Sequence, residues 1–470
     1  MIDDDRVHPT RDDPVGTSLS ESLGGPLGPR AGRHPWWTPV RVVLAMTALC
    51  FALGMVQKAP CFADSWQDGD ARYTYMCYSD LPYLYTGRGL AELNWPYTDD
   101  DQVRGRYEVM EYPVGIAYFA WATAWATHWA NGSPDIEPRY AMPADSLFSD
   151  EEVAGEVRLF VVLSALGFAL AALLSAWFLT QVNPRRPWDA ALFALSPALA
   201  LTALINWDLL VVVFVAGAMW AWARDRPGLA GALIGLGTAT KLFPLLLLGG
   251  LLVICLRNRR MRDFWAAVGA AVAAWVLADL PAYLTGSEQW QVFWTFNADR
   301  GADLGSIWLV ISESLDATFD PGTVNVGSWL FLGAWCLGVL VLGLKAPQTP
   351  RLAQLGFLIV AGFLLVNKVY SPQYVLWLLP LAVLARPRWR DQLIWQAGEV
   401  FYFASVWWYL GGDLDPAGGG DAGFYWLAIL VRMLCELWLV GVVARDVLRP
   451  ELDPVDRDQP MTTRSNVVAV

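Results

Sequence analysis

Histidine and cysteine are scarce in this sequence of 470 residues, which contains three His and six Cys. His8 and His34 lie near the amino terminus, and His128 stands alone among Trp and Thr residues. Zinc sites gather His and Cys ligands at short, regular spacings. No stretch of the sequence has such a cluster, so we expect neither a bound metal ion of the zinc type nor a cofactor.

The sequence also lacks a cleavable signal peptide and an internal repeat. Its first apolar run begins near residue 38, behind a long polar segment, which is not the pattern of a secretory signal. Many secondary transporters are built from inverted repeats. The lack of a repeat therefore weighs against a transporter.

Apolar residues are in excess. Hydrophobic residues make up 55% of the chain, the mean hydropathy is +0.35, and there are 26 Trp. Soluble domains contain about 45–50% apolar residues. The composition therefore predicts an all-α polytopic membrane protein surrounded by lipid. The formal net charge of −12 gives no reason to expect a nucleic-acid partner, and in a membrane protein the distribution of charge matters more than its sum.

Apolar runs that cross about 30 Å of hydrocarbon need about 17–25 residues. Such runs lie at residues 38–57, 156–181, 187–204, 206–223, 263–284, 327–344, 352–369, 393–410 and 423–445, with a shorter one at 372–386. The run 228–256 is too long for one helix and carries Lys241 and Pro244 near its middle, so it predicts two short helices. The whole pattern predicts about 11–13 transmembrane or re-entrant helices.

Lysine and arginine in short loops mark the cytoplasmic side of a membrane protein. Positive charge recurs in short segments at residues 185–187, 224–227, 257–262, 345–351, 386–390 and 445–449. The acidic excess lies in other segments, at residues 58–112, 131–155 and 411–422. We therefore expect the basic segments inside the cell, and the acidic segments outside it together with the loop 285–326.

The segment 113–130 conflicts with this alternation, because the acidic segments on both sides of it are expected outside. We prefer a re-entrant or interfacial hairpin here, since irregular backbone at membrane depth is tolerated where it lines a protein cavity. The alternative is a full crossing that leaves 131–155 in the cytoplasm, which Asp and Glu alone do not forbid.

The two ends of the chain are polar. Residues 1–35 are rich in Asp, Pro, Gly and Ser without apolar periodicity, and residues 447–470 are similar. We expect both to be disordered cytoplasmic tails, which flank one integral membrane domain at 36–446.

Two cysteines differ from the other four, which lie within apolar runs and are expected to be core residues. Cys61 and Cys77 both fall in the expected external loop 58–112, and disulfides persist in an oxidising compartment. We favour a bridge between them over two unpaired thiols. The bridge would close a short loop that ends three residues before Asp80.

Polar side chains gather at the expected outer ends of the helices. Polar groups at membrane depth are costly, and they indicate a functional site where they face a cavity. Asp80 lies in the aromatic stretch CYSDLPYLYTGRGL, and Lys241 lies between the two short helices. The other members of the set are Glu111, Tyr112, Asn206, Asp208, Asn297, Arg300, Asp303, Tyr370, Gln373 and Tyr374. Cations beside acids at one face suit a ligand with an anionic head group and a hydroxylated remainder.

Ordinary structural roles remain open for these residues. Asp80 can be a helix-end cap or a solvated loop acid, and Lys241 can be a lysine whose charge snorkels to the interface. Caps and an exposed ion-pair network of small energetic value would equally explain Asn206, Asp208, Glu111, Arg300 and Asp303.

An ordered series of short motifs runs from about residue 80 to residue 380. The series is DLPYLYTGRGL (80–90), PY (96–97), EYP (111–113), INWD (205–208), RDRPGLAG (224–231), KLFP (241–244) and SPQYVLWLLP (371–380). In this order it resembles glycosyltransferase family 87, whose members are polytopic GT-C enzymes that use polyprenyl-phosphate sugars, typically polyprenyl-phosphate mannose in actinobacteria. The resemblance implies a GT-C-like helical bundle and a hexosyltransferase of the plasma membrane.

The resemblance also implies that Asp80 occupies the position of the acid that serves such enzymes as base. Inverting transfer from a lipid phosphate needs a carboxylate that takes the proton from the acceptor hydroxyl, and a cation that steadies the phosphate. Lys241 and Arg300 are the expected cations, and the rest of the set is expected to bind sugar and acceptor. The expected acceptor is a lipid, glycan or protein of the cell envelope, reached from the outer face.

One residue departs from the family pattern. Related GT-C enzymes often carry an external His near the site, whereas the SPQY motif has Gln373, which does not titrate near neutral pH. Two alternatives to a transferase remain open: a flippase or transporter of lipid-linked sugars, and an inactive relative that acts as a scaffold in envelope assembly. A flippase needs a continuous polar path, which the gathering of polar groups at one face disfavours.

Overall fold

Helix is the regular element of this protein in the residues that the structure, a computed structural model, describes: 6–23, 34–414 and 422–457. The helices of the first half are α1 (Pro9–Asp12), α2 (Pro14–Leu23), α3 (Pro39–Gln57), α4 (Ala59–Ala63), α5 (Ala71–Thr74), α6 (Asp80–Gly87), α7 (Asp101–Arg106), α8 (Val114–Ala130), α9 (Glu137–Tyr140), α10 (Glu151–Val182), α11 (Ala191–Ala194), α12 (Pro197–Thr202) and α13 (Leu209–Ala223). Those of the second half are α14 (Pro227–Thr240), α15 (Leu247–Arg257), α16 (Met261–Thr285), α17 (Ser287–Asp299), α18 (Ile307–Ser314), α19 (Pro321–Lys345), α20 (Leu352–Val366), α21 (Val375–Ala385), α22 (Trp389–Leu410), α23 (Ala422–Leu448) and α24 (Pro454–Arg457).

Among the described residues, five helices are long and apolar enough to cross a membrane, and they are α3, α10, α16, α19 and α23. Shorter apolar helices accompany them at Leu209–Ala223, Phe243–Arg257, Leu352–Val366 and Pro372–Ala385. The predicted class is confirmed: the chain is an all-α polytopic membrane protein. The helices α8, α14 and α22 pack among these elements and complete the bundle in the described part of the chain.

Small residues bring α14 and α16 into close contact. A side chain at Gly231 would collide with the backbone of Ala267, and one at Gly235 would collide with the backbone of Ala271. Glycines at a helix interface allow two backbones to approach closely, as in other membrane bundles. This packing explains the glycine-rich sequence of α14 and fixes its end, where Lys241 follows, beside α16.

The apolar run 187–204 is broken, contrary to its prediction as one membrane helix. It forms a 3₁₀ turn at Pro187–Ala190 and then α11 and α12, which are separated at Ser196. Ser196 Oγ accepts a hydrogen bond from the Leu199 backbone and so caps α12, while Pro197 occupies its first turn. Proline has no backbone N–H to donate, and Ser with Pro therefore ends one helix and starts the next.

The segment 113–130 forms one continuous helix, α8, so the preferred hairpin is wrong. Its only proline, Pro113, precedes the helix, and its only glycine, Gly115, lies in the first turn, so nothing within α8 favours a turn. The ring of Phe119 lies against Gly167 of α10, and Asn131 at the end of α8 donates to Glu156 near the start of α10 over 3.1 Å. The helix α8 therefore runs antiparallel to the first half of α10 rather than along its whole length.

The expectation of disordered tails does not hold where the structure describes them. At the amino end, Asp13 accepts hydrogen bonds from the backbone of Val15, at the start of α2, and from that of Trp389. At the carboxyl end, Arg351 holds Asp453 at 2.8 Å in a buried ion pair. These contacts fix residues 6–23 and 447–457 to the bundle, and the remaining tail positions lie outside the described residues.

Candidate active site

Asp80 is the first residue of α6, and its backbone is anchored on the loop that precedes α13. The Asp80 amide donates to the Ile205 carbonyl at 2.7 Å, and the Ser79 hydroxyl donates to the same carbonyl at 3.3 Å. Ser79 Oγ also accepts from the Leu81 amide and so caps α6. The motif that carries Asp80 is therefore fixed against the INWD motif, although 125 positions separate them in sequence.

The half-buried carboxyl group of Asp80 is held by tyrosines. The Tyr112 hydroxyl donates to Asp80 Oδ2 at 2.9 Å, and Tyr78 bonds to the same carboxyl group. Burial raises the pKa of the Asp80 carboxyl above its ordinary value, whereas the hydrogen bonds from Tyr78 and Tyr112 and the charge of Lys241 oppose that rise. A carboxylate with a raised pKa that stays partly accessible is suited to accept a proton.

Lys241 and Asp208 form a buried ion pair beside Asp80. Lys241 Nζ lies 2.8 Å from Asp208 Oδ1, and the two residues are only 8% and 0% exposed. Three aromatic rings surround the ammonium group, with ring centres 4.7 Å away for Tyr112, 5.7 Å for Trp377 and 5.8 Å for Tyr374. Cations over ring faces gain energy that grows where water is excluded. The site thus holds its lysine in place before any ligand binds.

Arg300 reaches the same group of charges through a loop that is joined to the SPQY motif. The Asp303 amide donates to the Lys368 carbonyl and the Tyr370 amide donates to the Leu304 carbonyl, each at 2.8 Å. Arg300 Nε pairs with Asp303 Oδ2 at 2.8 Å. Tyr374, in the same motif, has its ring 5.8 Å from Lys241 Nζ. The SPQY motif therefore contacts Lys241 through Tyr374 and is bonded to the loop that carries Arg300.

Tyr370 is turned away from this group and anchors the loop instead. Its hydroxyl bonds to Glu399 at 2.9 Å, and its carbonyl accepts from the Tyr402 hydroxyl at 2.6 Å. The guanidinium group of Arg432 stacks on its ring at 3.6 Å. The predicted ligand contact of Tyr370 is thus replaced by a supporting role, because buried charges in α22 and α23 engage its side chain.

Three other predicted site residues use their polar groups in bonds to other parts of the protein. Glu111 pairs with Arg88 at 3.0 Å, and Asn297 donates to the Phe293 carbonyl of its own helix. Asn206 Oδ1 accepts from the Asp208 amide and shapes the turn before α13. Gln373 differs from these: it is buried, and its Oε1 has no hydrogen-bond partner among the described residues. Gln373 therefore keeps an acceptor for a ligand hydroxyl.

Cys61 and Cys77 are joined by a disulfide whose Cα atoms are 5.8 Å apart. The loop that it closes is filled by Trp66, whose indole nitrogen donates to the Cys77 carbonyl at 3.3 Å. Gln57, at the end of α3, donates to the Met76 carbonyl at 2.6 Å. The chain that leads into Asp80 is therefore held by a covalent bond and by two side chains.

Lys58 is a site neighbour that sequence reasoning missed. Its ammonium group donates to the Tyr78 carbonyl at 2.9 Å and is buried. Burial lowers the pKa of Lys58 to about 7, although the charge of Asp80 opposes that shift. The only signal in the sequence was a lysine directly after the first apolar helix, which reads equally well as an interfacial residue.

The comparison with known protein families finds a match. The model of glycosyltransferase family 87 matches residues 152–367, a range that contains Asp208, Lys241 and Arg300 but not Asp80. No curated protein matches the chain. Over these residues the chain is therefore similar to glycosyltransferase family 87, and its long apolar helices are those of a membrane protein.

Proposed function

We propose that this protein moves a hexose, with mannose as the expected sugar, from a polyprenyl-phosphate donor to an envelope acceptor at the outer face of the plasma membrane. One observation carries the proposal: the Asp80 carboxyl group shares Tyr112 with the buried Lys241–Asp208 pair. A base and a cation beside one another are what transfer from a lipid phosphate to a hydroxyl requires.

Asp80 is the base in this proposal. Its carboxylate takes the proton of an acceptor hydroxyl while the hydroxyl oxygen bonds to the anomeric carbon. The bond from that carbon to the phosphate oxygen breaks on the opposite face, so the configuration inverts, and the lipid phosphate leaves with its electron pair. The raised pKa of Asp80 brings its basicity closer to working pH, and the hydrogen bond from Tyr112 fixes its orientation.

Lys241 and Arg300 are the cations that stabilise the leaving phosphate in this proposal. Both are already paired, Lys241 with Asp208 and Arg300 with Asp303, so the resting site carries no uncompensated positive charge. A phosphate that approaches adds negative charge beside two pre-positioned cations, and charge-assisted hydrogen bonds form without large rearrangement. Gln373 supplies an acceptor for a sugar hydroxyl.

The ends of the short helices support an outward-facing site. Lys241 precedes the segment Phe243–Arg257, and Arg257 ends it. The SPQY motif precedes α21 and Arg386 follows it. Each element thus carries a site residue at one end and arginine at the other, and arginine-rich ends mark the cytoplasm.

The test is transfer by the purified protein in lipid nanodiscs, supplied with labelled polyprenyl-phosphate mannose and an envelope lipid extract. We expect labelled product from the wild type and none from Asp80→Asn, with equal yield and thermal stability of the two proteins. Asp68→Asn is the matched control, because Asp68 is an exposed acid of the same loop. Full activity of Asp80→Asn would exclude Asp80 as the base.

A non-catalytic role in envelope assembly is the second candidate, and it is favoured by Gln373, which stands where related GT-C enzymes often carry a titratable His. Under this alternative the wild type binds the lipid donor but releases no product. Donor binding without turnover, measured with a panel of polyprenyl-phosphate hexoses, would select it over the transferase.

A further inference from the structure

We propose that the end of α16, together with the start of α17, forms a binding subsite for a sugar ring of the acceptor glycan, built from Asp279, Tyr97, Tyr118 and Trp290. The proposal deepens the proposed function and rests on it only in calling the glycan an acceptor. Tyr97 belongs to the PY motif, to which the reaction at Asp80 gives no role.

The backbone of α16 is opened at this point. The Tyr118 hydroxyl donates to the Ala278 carbonyl at 3.0 Å and accepts from the Ala282 amide at 3.1 Å. These are the two groups that an uninterrupted helix would bond to each other, and Pro281 stands between them. A side chain from α8 is therefore inserted into α16 at the turn that carries Asp279.

One carboxylate oxygen of Asp279 is not used by the described residues. The residue is only 8% exposed, and its Oδ1 accepts from the Trp290 indole nitrogen at 2.7 Å. Its Oδ2 has no hydrogen-bond partner among the described residues. A buried carboxylate oxygen without a donor loses its solvation without compensation. A ligand hydroxyl is the group that would satisfy it.

Aromatic rings surround the carboxylate. Trp95 stacks on Tyr118 with ring centres 5.4 Å apart, and Tyr97 meets both rings edge-on at 6.0 and 6.1 Å. Tyr283 meets Trp290 edge-on at 5.5 Å. A carboxylate accepts hydroxyl protons while rings pack on the apolar face of a ligand, and a sugar offers both kinds of surface. The donors here are Tyr and Trp rather than further carboxylates, which disfavours a cation.

The subsite lies close to the reaction centre. Tyr112 lies two residues before the start of α8, and Tyr118 lies in its second turn, about 6 Å along the helix from Val114 at 1.5 Å per residue. The packing of Gly231 on Ala267 and of Gly235 on Ala271, continued to the end of α14 at Thr240, brings that end level with Val276, about one turn of α16 before Asp279. A glycan whose end is at Asp80 can therefore place a following ring at Asp279.

The helix α17 contributes Trp290 to this subsite. None of its residues is buried, yet Trp290 is fixed on Asp279 and Gly286 packs against the Tyr97 carbonyl. Trp290 therefore orients the Asp279 carboxyl group and leaves Oδ2 as its open acceptor. Oδ2 accepts a hydroxyl of the sugar, while Trp290 remains on Oδ1.

The test measures binding and does not depend on turnover. Methyl disaccharides of mannose, glucose and galactose are titrated into the full-length protein in nanodiscs, and binding is followed by saturation-transfer NMR. We expect the wild type to bind at least one of them. Asp279→Asn and Trp290→Phe are expected to weaken that binding about tenfold, the effect of losing a hydrogen bond to a charged group. Trp294→Phe, on the exposed side of α17, is the matched control and is expected to bind as the wild type does.

Two outcomes would overturn the subsite: none of the disaccharides binds the wild type, or both variants bind as tightly as the wild type. Trp290→Phe keeps the test open where Asp279→Asn fails to fold. Disaccharide binding that depends on Asp279 in a protein without transfer activity supports the subsite and counts against the transferase, so the two proposals fail separately.

Discussion

The Tyr112 hydroxyl donates a hydrogen bond to Asp80 Oδ2 across 2.9 Å. The same ring lies 4.7 Å from Lys241 Nζ, so one side chain touches the acid and the cation of the site. Its two parts do different work: the hydroxyl stabilises the ionised form of Asp80, and the ring face stabilises the ammonium group.

Replacing Tyr112 with Phe separates these two contributions, because the ring stays and the hydroxyl is lost. We expect kcat to fall about tenfold. The hydrogen bond lowers the pKa of Asp80, so its loss raises that pKa further. A base must be ionised to work, and the rise of kcat with pH therefore moves to higher pH. A pH–rate profile that matches the wild type would contradict this assignment; Tyr75→Phe, an exposed tyrosine nearby, is the control.

Lys241→Met is expected to destabilise the protein by about 3–5 kcal/mol, because it leaves the carboxylate of Asp208 buried without its cation. Adding Asp208→Asn removes that charge and restores most of the stability. Donor binding is not restored, since the cation is still absent. Thermal unfolding and the KM for the lipid donor, measured on the single and double variants, separate the structural effect from the binding effect. A double variant with normal donor KM would rule out phosphate contact by Lys241.

Gly305→Ala is expected to weaken the link between the Arg300 loop and the SPQY motif. Gly305 has φ of +72°, and an added methyl group would collide with the Tyr402 hydroxyl and the Tyr370 carbonyl. We expect a loss of about 1–3 kcal/mol in stability together with reduced transfer. Gly301→Ala is the matched control in the same loop, because it has open space around it. Equal behaviour of the two variants would show that the loop tolerates the collision.

The disulfide between Cys61 and Cys77 spans 16 positions. Replacing both cysteines with Ser is expected to cost about 3 kcal/mol, since the unfolded chain regains the freedom of that loop. Tm measured with and without reductant should fall on reduction for the wild type alone. If the Tm of the wild type is the same with and without reductant, the bridge contributes nothing to stability. Transfer should also fall in the variant, because the loop leads directly into Asp80.

Hydropathy was sufficient to locate most of the bundle. Polar atoms in hydrocarbon cost free energy, so a segment that crosses the membrane must be a long run of apolar residues. Hydropathy was not sufficient where local chemistry interrupts an apolar run. Ser196 and Pro197 divide a segment whose composition alone predicts one helix. For α8 the charge of the flanking loops indicated a turn, whereas the segment itself contains none. Average composition does not report which backbone bonds a single residue makes or prevents.

The sequence indicated which polar residues belong to the candidate site, but it did not indicate which partners their side chains would bond to. Asp80, Tyr112, Asp208 and Lys241 lie together because each of them stands at or next to one end of a helix, and these helix ends meet. Tyr370 belongs to the same stretch as Tyr374, but its hydroxyl donates a hydrogen bond to Glu399, which lies in a later helix. Lys58 bonds to the Tyr78 carbonyl, two residues before Asp80, across a loop that a disulfide closes. Such pairings depend on three-dimensional neighbours that one sequence does not specify.

The shortness of the helices around Lys241 sets how deep the reaction lies. α13 and α20 have 15 residues each, which is about 22 Å of helix, whereas the hydrocarbon core of a bilayer is about 30 Å thick. With their arginine ends at one interface, the polar ends lie about 8 Å below the other. A lipid phosphate reaches this level by sinking out of the headgroup plane, or the bilayer thins around the protein to bring the plane down. The proposed transfer would thus take place within one leaflet, in the apolar layer that holds the isoprenoid tail of a polyprenyl-phosphate donor.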